Sequence, residues 1–246
     1  MRFTKMHGLG NDFVLLDEPV TVTPEMVRAM CDRHFGIGAD GVLTFGATEG
    51  TVRMGYWNAD GSEAEMCGNG LRCVARVAVD RGLAGPGTFV VDTPAGPRRV
   101  AVGDEIRVDL GLPTVSDLIE IGGRHFRKVS VGNPHAVTEV DDLAAVEVAE
   151  IGPAVQPHFP AGANVEFVRI DGDAVEMRVW ERGVGETLAC GSGIVAVAAV
   201  ARRMGGGDRI SVTMPGGTAR VDFEDGAAWL VGPAEYVFEG EWCPGP

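Results

Sequence analysis

Two stretches of this chain set a cysteine and a glycine in front of an apolar helical run: EMCGNGLRCVARVAV (Glu65 to Val79) and LACGSGIVAVAAVA (Leu188 to Ala201). Their cysteines, Cys67 and Cys190, stand 123 residues apart in a chain of 246. An internal repeat constrains the fold more than any local propensity, because each copy must close the same kind of core. The register extends upstream, where Trp57 and Trp180 each precede their cysteine by ten residues and Met54 and Met177 by thirteen. Gly10-Asn11 recurs at Gly132-Asn133, Gly38-Ala39 at Gly162-Ala163, and the turn Pro94-Gly96 at Pro215-Gly217, with offsets of 122, 124 and 121. Two similar halves follow, joined near Gly111 to Asp117, with domains expected at residues 1–114 and 115–246.

Local patterns agree between the halves. Thr51 to Asn58 and Ala174 to Trp180 read as strands, each followed by a glycine-bearing loop before the cysteine. Helices are predicted at about Asn69 to Arg81 and Gly191 to Met204, stopped by Gly82 and Gly205 with arginines in their last turns. The segment GIVAVAAVA is apolar all round and belongs inside a core. Further strands are predicted at Gly41 to Phe45, Thr88 to Asp92, Arg98 to Leu110, Lys128 to Val131, Ala136 to Val140, Asn164 to Ile170, Arg209 to Met214 and Ala227 to Phe238. The one clear surface helix is Thr23 to Gly36, with Thr23 as N-cap, Pro24 in the first turn and apolar residues at 26, 27, 30 and 31. The expected class is α/β (α+β): two pseudo-symmetric lobes, each a curved mixed sheet wrapped around a central apolar helix.

Charge and composition narrow the function. A net charge of −14 opposes binding to a polyanion, so nucleic acid and anionic membrane are poor partners. The start MRFTKMHGLG lacks the apolar core of a signal peptide, and the run Ile194 to Ala201 is far shorter than the ~20 residues that span a bilayer, which points to a cytoplasmic protein. Five cysteines in a chain this long do not suggest a disulfide framework.

The placement of Cys67 and Cys190 is chemically specific. A helix start exposes unpaired N–H groups and about half a positive charge, which suits a carboxylate and favours a thiolate. Two such starts related by pseudo-symmetry can aim two thiols at one ligand from opposite sides. That is the geometry of a two-base racemase: one thiolate removes the α-proton of an amino acid and one thiol returns it on the other face. The enediolate charge then falls on the carboxylate, and no cofactor such as pyridoxal phosphate is needed. The bland alternative is that a free cysteine is packing. It fits Cys31, Cys73 and Cys243, which have no glycine-rich lead, but not the matched pair. A zinc site of Cys67, Cys73 and Cys190 lacks the short spacing of ligand pairs, so no metal is expected.

HGLGNDF (His7 to Phe13), NADGSEAEMCGNGLRC (Asn58 to Cys73), VGNPHAV (Val131 to Val137), GANVEFV (Gly162 to Val168) and WERGVGETLACGSG (Trp180 to Gly193) closely resemble diaminopimelate epimerases, in that family's order. The resemblance implies a pyridoxal-phosphate-independent epimerase that interconverts LL- and meso-diaminopimelate on the route to lysine and peptidoglycan. It also implies an active site in the cleft between the lobes, final residues that return to the first lobe, and a homodimer. Carried over by position, Cys67 and Cys190 match the catalytic thiols, and His135 and Glu181 match groups that assist them. The helix-start pairs Gly68-Asn69 and Gly191-Ser192 match the clamp on the reacting carboxylate. Asn58, Asn133, Asn164 and Arg182 match contacts to the distal ammonium and carboxylate, where Arg182 suits a bidentate pair; Asn11 and Glu181 match further substrate contacts. One position departs: after GIGAD this chain has Gly41 where some members carry glutamine. Proline racemases and hydroxyproline epimerases resemble the same architecture but show different residues around their cysteines, and a non-catalytic amino-acid binder would need the clamp without two thiols.

Overall fold

A computed structural model of the chain describes residues 1–243. In chain order the elements are β1 (Arg2–Gly8), β2 (Asn11–Asp17), α1 (Pro24–Cys31), β3 (Gly41–Thr48), β4 (Thr51–Asn58), α2 (Gly68–Asp80), β5 (Gly87–Thr93), β6 (Gly96–Val102) and β7 (Ile106–Asp109). They continue with β8 (Thr114–Ile121), β9 (Arg124–Ser130), β10 (Pro134–Glu139), α3 (Val148–Val155), β11 (Asn164–Asp171), β12 (Ala174–Glu181) and β13 (Gly185–Thr187). The last are α4 (Gly191–Arg203), β14 (Arg209–Met214), β15 (Gly217–Glu224), β16 (Ala227–Val231) and β17 (Glu235–Glu241). The fold is mixed α+β, and the chain divides into two compact units: Met1–Val108 with the segment from Gly232 onward, and Asp109–Val231.

The first unit carries its strands in the order β17-β1-β2-β3-β4-β5-β6-β7, antiparallel except at β2–β3 and β4–β5. The second carries β8-β9-β10-β11-β12-β14-β15-β16, antiparallel except at β10–β11 and β12–β14. Orientation matches strand for strand. In each unit a parallel crossover leads through a long helix, α2 from β4 to β5 and α4 from β12 to β14, as parallel neighbours require. The strand that follows each copy, β8 or β17, pairs with the first strand of the other copy, β9 or β1.

Helix α4 contacts strands all around it, and Ile194 to Ala201 are buried without exception. Alanine and valine make it narrow enough for a curved sheet to close over it. The other face of each sheet is covered too. Val27, Met30 and Cys31 of α1 pack on Val14, Leu16 and Val42, while Val148 and Val155 of α3 pack on Phe126, Ala136 and Phe167. Strands β3 and β11 are therefore buried on both faces, which is why their apolar residues run continuously instead of alternating.

Several boundaries differ from the sequence expectation. The strand expected at Arg98 to Leu110 is two, β6 and β7, because Gly103 to Glu105 form a turn. The strand expected at Ala227 to Phe238 is likewise two, because Pro233 supplies no N–H to a ladder and Gly232 turns its own toward Ile106. Helix α1 ends at Cys31, its C-cap Asp32 taking the N–H groups of His34 and Phe35. Arg81 caps α2 and lies outside its last turn, where it pairs with Glu239. The hairpin β1–β2 and helix α3, which has Pro153 inside it, have weak sequence signals. Cys31 and Cys73 are buried, but Cys243 is exposed and packs in no core.

A half-buried ion cluster fixes the β1–β2 hairpin against the segment between α1 and β3. Lys5 pairs with Asp12 at 2.6 Å and donates to the Gly38 carbonyl, while Arg33 holds Asp12 at 2.8 Å and Asp40 at 2.7 Å. Burial raises the Asp12 carboxyl, but the hydrogen bonds and charges of Arg33 and Lys5 outweigh it and hold the group at about 2. A carboxyl depressed in the folded state contributes stability above its unfolded pKa, and that contribution is lost as pH falls through the folded one. At ~1.36 kcal/mol per unit, the displacement is worth about 2 kcal/mol. Asp12→Asn should therefore lower the urea-unfolding free energy by up to about 2 kcal/mol at pH 7, less what water screens at this half-buried site, with the gap to wild type closing between about pH 4 and pH 2. A gap independent of pH across that window would show that the cluster does not act through the Asp12 charge.

Candidate active site

Cys67 and Cys190 each occupy the N-cap position of a long buried helix in extended backbone, with φ of −139° and −125°. Serine, threonine or aspartate usually stand there to take up orphan N–H groups. Here the sulfur does so: Cys67 Sγ accepts from Gly70 N–H and Cys190 Sγ from Gly193 N–H, both at 3.4 Å. The third residue has little room for a side chain. A Cβ on Gly70 would lie 3.2 Å from Leu43, and one on Gly193 3.0 Å from Glu166 Oε1.

Around Cys67 the structure gathers Asn11, Gly68 and Asn69. The turn at Leu9 and Gly10, both with positive φ, presents Asn11 at the start of β2. Asn11 Nδ2 donates to Asp40 at 2.8 Å, and its Oδ1 accepts from Asn69 Nδ2 at 3.1 Å and faces the Cys67 thiol at 3.6 Å. Asn69 Oδ1 accepts from Arg72 Nη2 at 2.8 Å. Because arginine only donates and an ionised carboxylate only accepts, the two ends of this chain fix both amide orientations. Arg72 is fully buried and also donates to the Pro233 carbonyl at 3.2 Å. Burial lowers it to about 10, so it remains a cation at neutral pH within the helix that begins at Cys67.

Asn58 ends β4 and is tied to Ser62 by its backbone N–H at 2.9 Å and its Nδ2 at 3.1 Å. It pairs across the ladder with Gly41. A Cβ at Gly41 would come 2.5 Å from the Trp57 carbonyl and 2.8 Å from the Tyr56 ring, so a glutamine at this position has no room.

Around Cys190 the structure gathers Asn133, His135, Asn164, Glu181, Gly191 and Ser192. Asn164 Oδ1 accepts from the Arg182 backbone N–H at 2.9 Å, which turns its Nδ2 toward Cys190 Sγ at 4.0 Å. Asn133 Nδ2 donates to Ser192 Oγ at 3.3 Å, and Ser192 Oγ lies 3.7 Å from Cys190 Sγ. His135 is wholly buried, with Nε2 3.0 Å from Asn133 Oδ1 and Nδ1 2.6 Å from Glu166 Oε1. Glu181 accepts from Thr187 and comes within hydrogen-bonding reach of Cys190; burial raises its carboxyl above the usual range. Burial also pushes the Cys190 thiol well above its ordinary value, and the charges of Glu181 and Glu166 add to this, against the Gly193 N–H and Ser192. Arg182 is exposed and anchored by one nitrogen to the Ala161 carbonyl at 2.6 Å, its stem lying against Gly162.

Asp40, Arg72, Glu166 and Thr187 belong to these two clusters and were not singled out by sequence reasoning. For Glu166 a signal existed: it is the lone charge in the apolar run NVEFV. A charge at a position the sheet must bury needs a partner.

The family model described as diaminopimelate epimerase matches residues 3–115 and 127–237. O-ureido-serine racemase of Streptomyces lavendulae is 45% identical, across 97% of this chain and 94% of its own. The diaminopimelate epimerase of Carboxydothermus hydrogenoformans is 42% identical, across 98% and 99%. Among solved structures, a Bacillus anthracis phenazine biosynthesis protein of the PhzF family superposes with a TM-score of 0.80 over 99% of both chains at 17% identity. A hydroxyproline epimerase from Agrobacterium vitis superposes with a TM-score of 0.72 at 15% identity, covering 98% of this chain and 91% of that one. These two distant likenesses speak for the fold alone. With the family model spanning both halves and curated relatives above 40% identity over nearly the full length, the chain belongs to the diaminopimelate epimerase family.

Proposed function

We propose that this protein inverts the α-carbon of diaminopimelate, interconverting the LL and meso forms, with Cys67 and Cys190 as alternating base and acid. The observation that carries the proposal is the duplicated helix start, a thiol at the N-cap with its sulfur against the third residue's N–H in both copies. Inversion needs one proton-transfer group for each face of the carbon, and two copies of one motif supply two. The remaining helix-start N–H groups of Gly68-Asn69 and Gly191-Ser192 serve the carboxylate, on which negative charge grows as the proton leaves. Glu181 faces Cys190 directly and His135 reaches it through Asn133 and Ser192, so these two groups assist that thiol. Within a cell the reaction serves lysine and peptidoglycan precursor synthesis in the cytoplasm; no helix among the described residues is long and apolar enough to cross a membrane.

Replacing either Cys67 or Cys190 with alanine should abolish epimerisation in both directions. Proton NMR of LL-diaminopimelate in D₂O, following loss of the α-proton signal, measures this directly. If either variant keeps more than a few per cent of turnover in both directions, the two-base assignment is wrong.

A second substrate class follows from the Streptomyces lavendulae relative, named for racemising O-ureido-serine. The reacting ends of the two amino acids are alike, so only the distal end tells them apart. A guanidinium has five N–H donors, and Arg182 spends one on Ala161, so it can still grip a distal carboxylate with two. Arg182→Leu should therefore lower kcat/KM for diaminopimelate by several orders while changing the rate with O-ureido-serine much less. Lysine, without the distal carboxylate, should be a poor substrate, by up to ~10⁴-fold. If wild type prefers O-ureido-serine, or if the mutation leaves the substrate ratio unchanged, Arg182 does not read a distal carboxylate.

The assembly we propose is a homodimer through β17, where Tyr236, Val237 and Phe238 are each more than 40% exposed on the outermost strand beside β1. Apolar side chains on an outer strand favour association. Val237→Glu should convert the dimer to a monomer in analytical ultracentrifugation; an unchanged sedimentation coefficient would move the interface elsewhere.

A further inference from the structure

The two half-sites are built on one plan but lined differently. In the first, Phe13 stands beside Gly41 in the β2–β3 ladder and Leu43 packs under Gly70; in the second, the corresponding residues are His135 beside Asn164, and Glu166 under Gly193. An apolar pair can thus support such a helix start. The ionisable pair in the second copy is wholly buried, and Glu166 Oε2 has no hydrogen-bond partner among the described residues. Burying that pair is costly unless it does something an apolar pair cannot.

We propose that Glu166 is a positioning residue: through His135 and Asn133 it fixes the direction in which hydrogen-bond donors run toward Cys190. The distances trace a continuous chain of 2.6 Å from Glu166 to His135, 3.0 Å to Asn133, 3.3 Å to Ser192 and 3.7 Å to the sulfur. A site with no exposure favours a pair with no net charge. Electroneutrality is met by imidazolium beside carboxylate or by imidazole beside carboxylic acid, and in both cases Nε2 carries a proton once Nδ1 shares one with Glu166. Nε2–H must donate to Asn133 Oδ1, so Asn133 Nδ2 donates to Ser192 Oγ. The Ser192 hydroxyl proton is then free to point at sulfur. Without the carboxyl, a neutral imidazole can carry its proton on Nδ1, the Asn133 amide turns over, and the Ser192 proton is drawn to Asn133 instead. Cys190 would lose one of the donors that oppose its burial and the charge of Glu181 facing it.

The inference rests on Cys190 acting in catalysis, so its test has one arm independent of turnover. Nitrogen-15 NMR of the five-histidine protein should show His135 Nε2 protonated in wild type and in Glu166→Gln, whose amide can donate to Nδ1, and altered in Glu166→Leu. Thermal unfolding checks that each variant is folded; should Glu166→Leu fail, the double variant His135→Phe with Glu166→Leu reproduces the pair that packs in the first copy. Glu166→Gln should keep kcat/KM within about tenfold of wild type, while the leucine variants should lose about 10²-fold or more, as when one preorganised donor is removed. A folded leucine variant with kcat/KM within threefold of wild type overturns the proposal, as does an unprotonated Nε2 in wild type. If wild type fails to turn over diaminopimelate, the substrate assignment falls and the NMR arm still decides the role of Glu166.

Discussion

The first N–H groups of α2 and α4 have no partner within their own helices, and the first residues of both helices are largely buried. Much of the architecture follows from that shortage. Sulfur at the N-cap satisfies one donor in each case, glycine at the third position admits it, and the donors left over define a place for an anion. A thiol is a weak acceptor compared with the oxygen caps that helices usually carry. The helix starts therefore forgo some stability in favour of a reactive atom held on a rigid element.

That rigidity is provided by burial on every side. Helix α4 is lined with alanine and valine, and a curved sheet closes around it while α3 covers the sheet's far face. The sulfur of Cys190, the amides of Asn133 and Asn164 and the carboxyl of Glu181 all sit at or next to the end of a strand or the start of a helix, where backbone positions are set by the core. Small backbone adjustments that would spoil proton transfer are resisted by the same packing that folds the chain.

The repeat made the fold and the thiols readable from sequence. Matched spacing of Trp57 with Trp180 and Cys67 with Cys190 implied two cores, and the caps Gly82 and Gly205 ended the helices at positive φ as expected. Less was legible where a local signal was outvoted. The run from Arg98 to Leu110 has strand-forming residues throughout, yet Gly103 to Glu105 turn the chain and make two strands of it. The partners of Asn69 and His135 were hidden for another reason: Arg72 lies three residues along a helix, but Glu166 lies on a neighbouring strand, and only the parallel β10–β11 ladder brings it to His135. Sequence shows which cysteines share a motif; which carboxyl faces which imidazole depends on register.

The exchange of last strands has a consequence for how the molecule is made. The sheet of the first unit takes an outer strand from Glu235–Glu241, separated from its neighbour β1 by almost the entire chain. During synthesis from the N-terminus, the unit that emerges first cannot complete its sheet until Glu235–Glu241 have left the ribosome, whereas the second unit has β8 in hand before β9 appears. Order of synthesis and order of completion are thus reversed: the later half can close first, and the earlier half waits with β1 paired to β2 on one side and its other edge open.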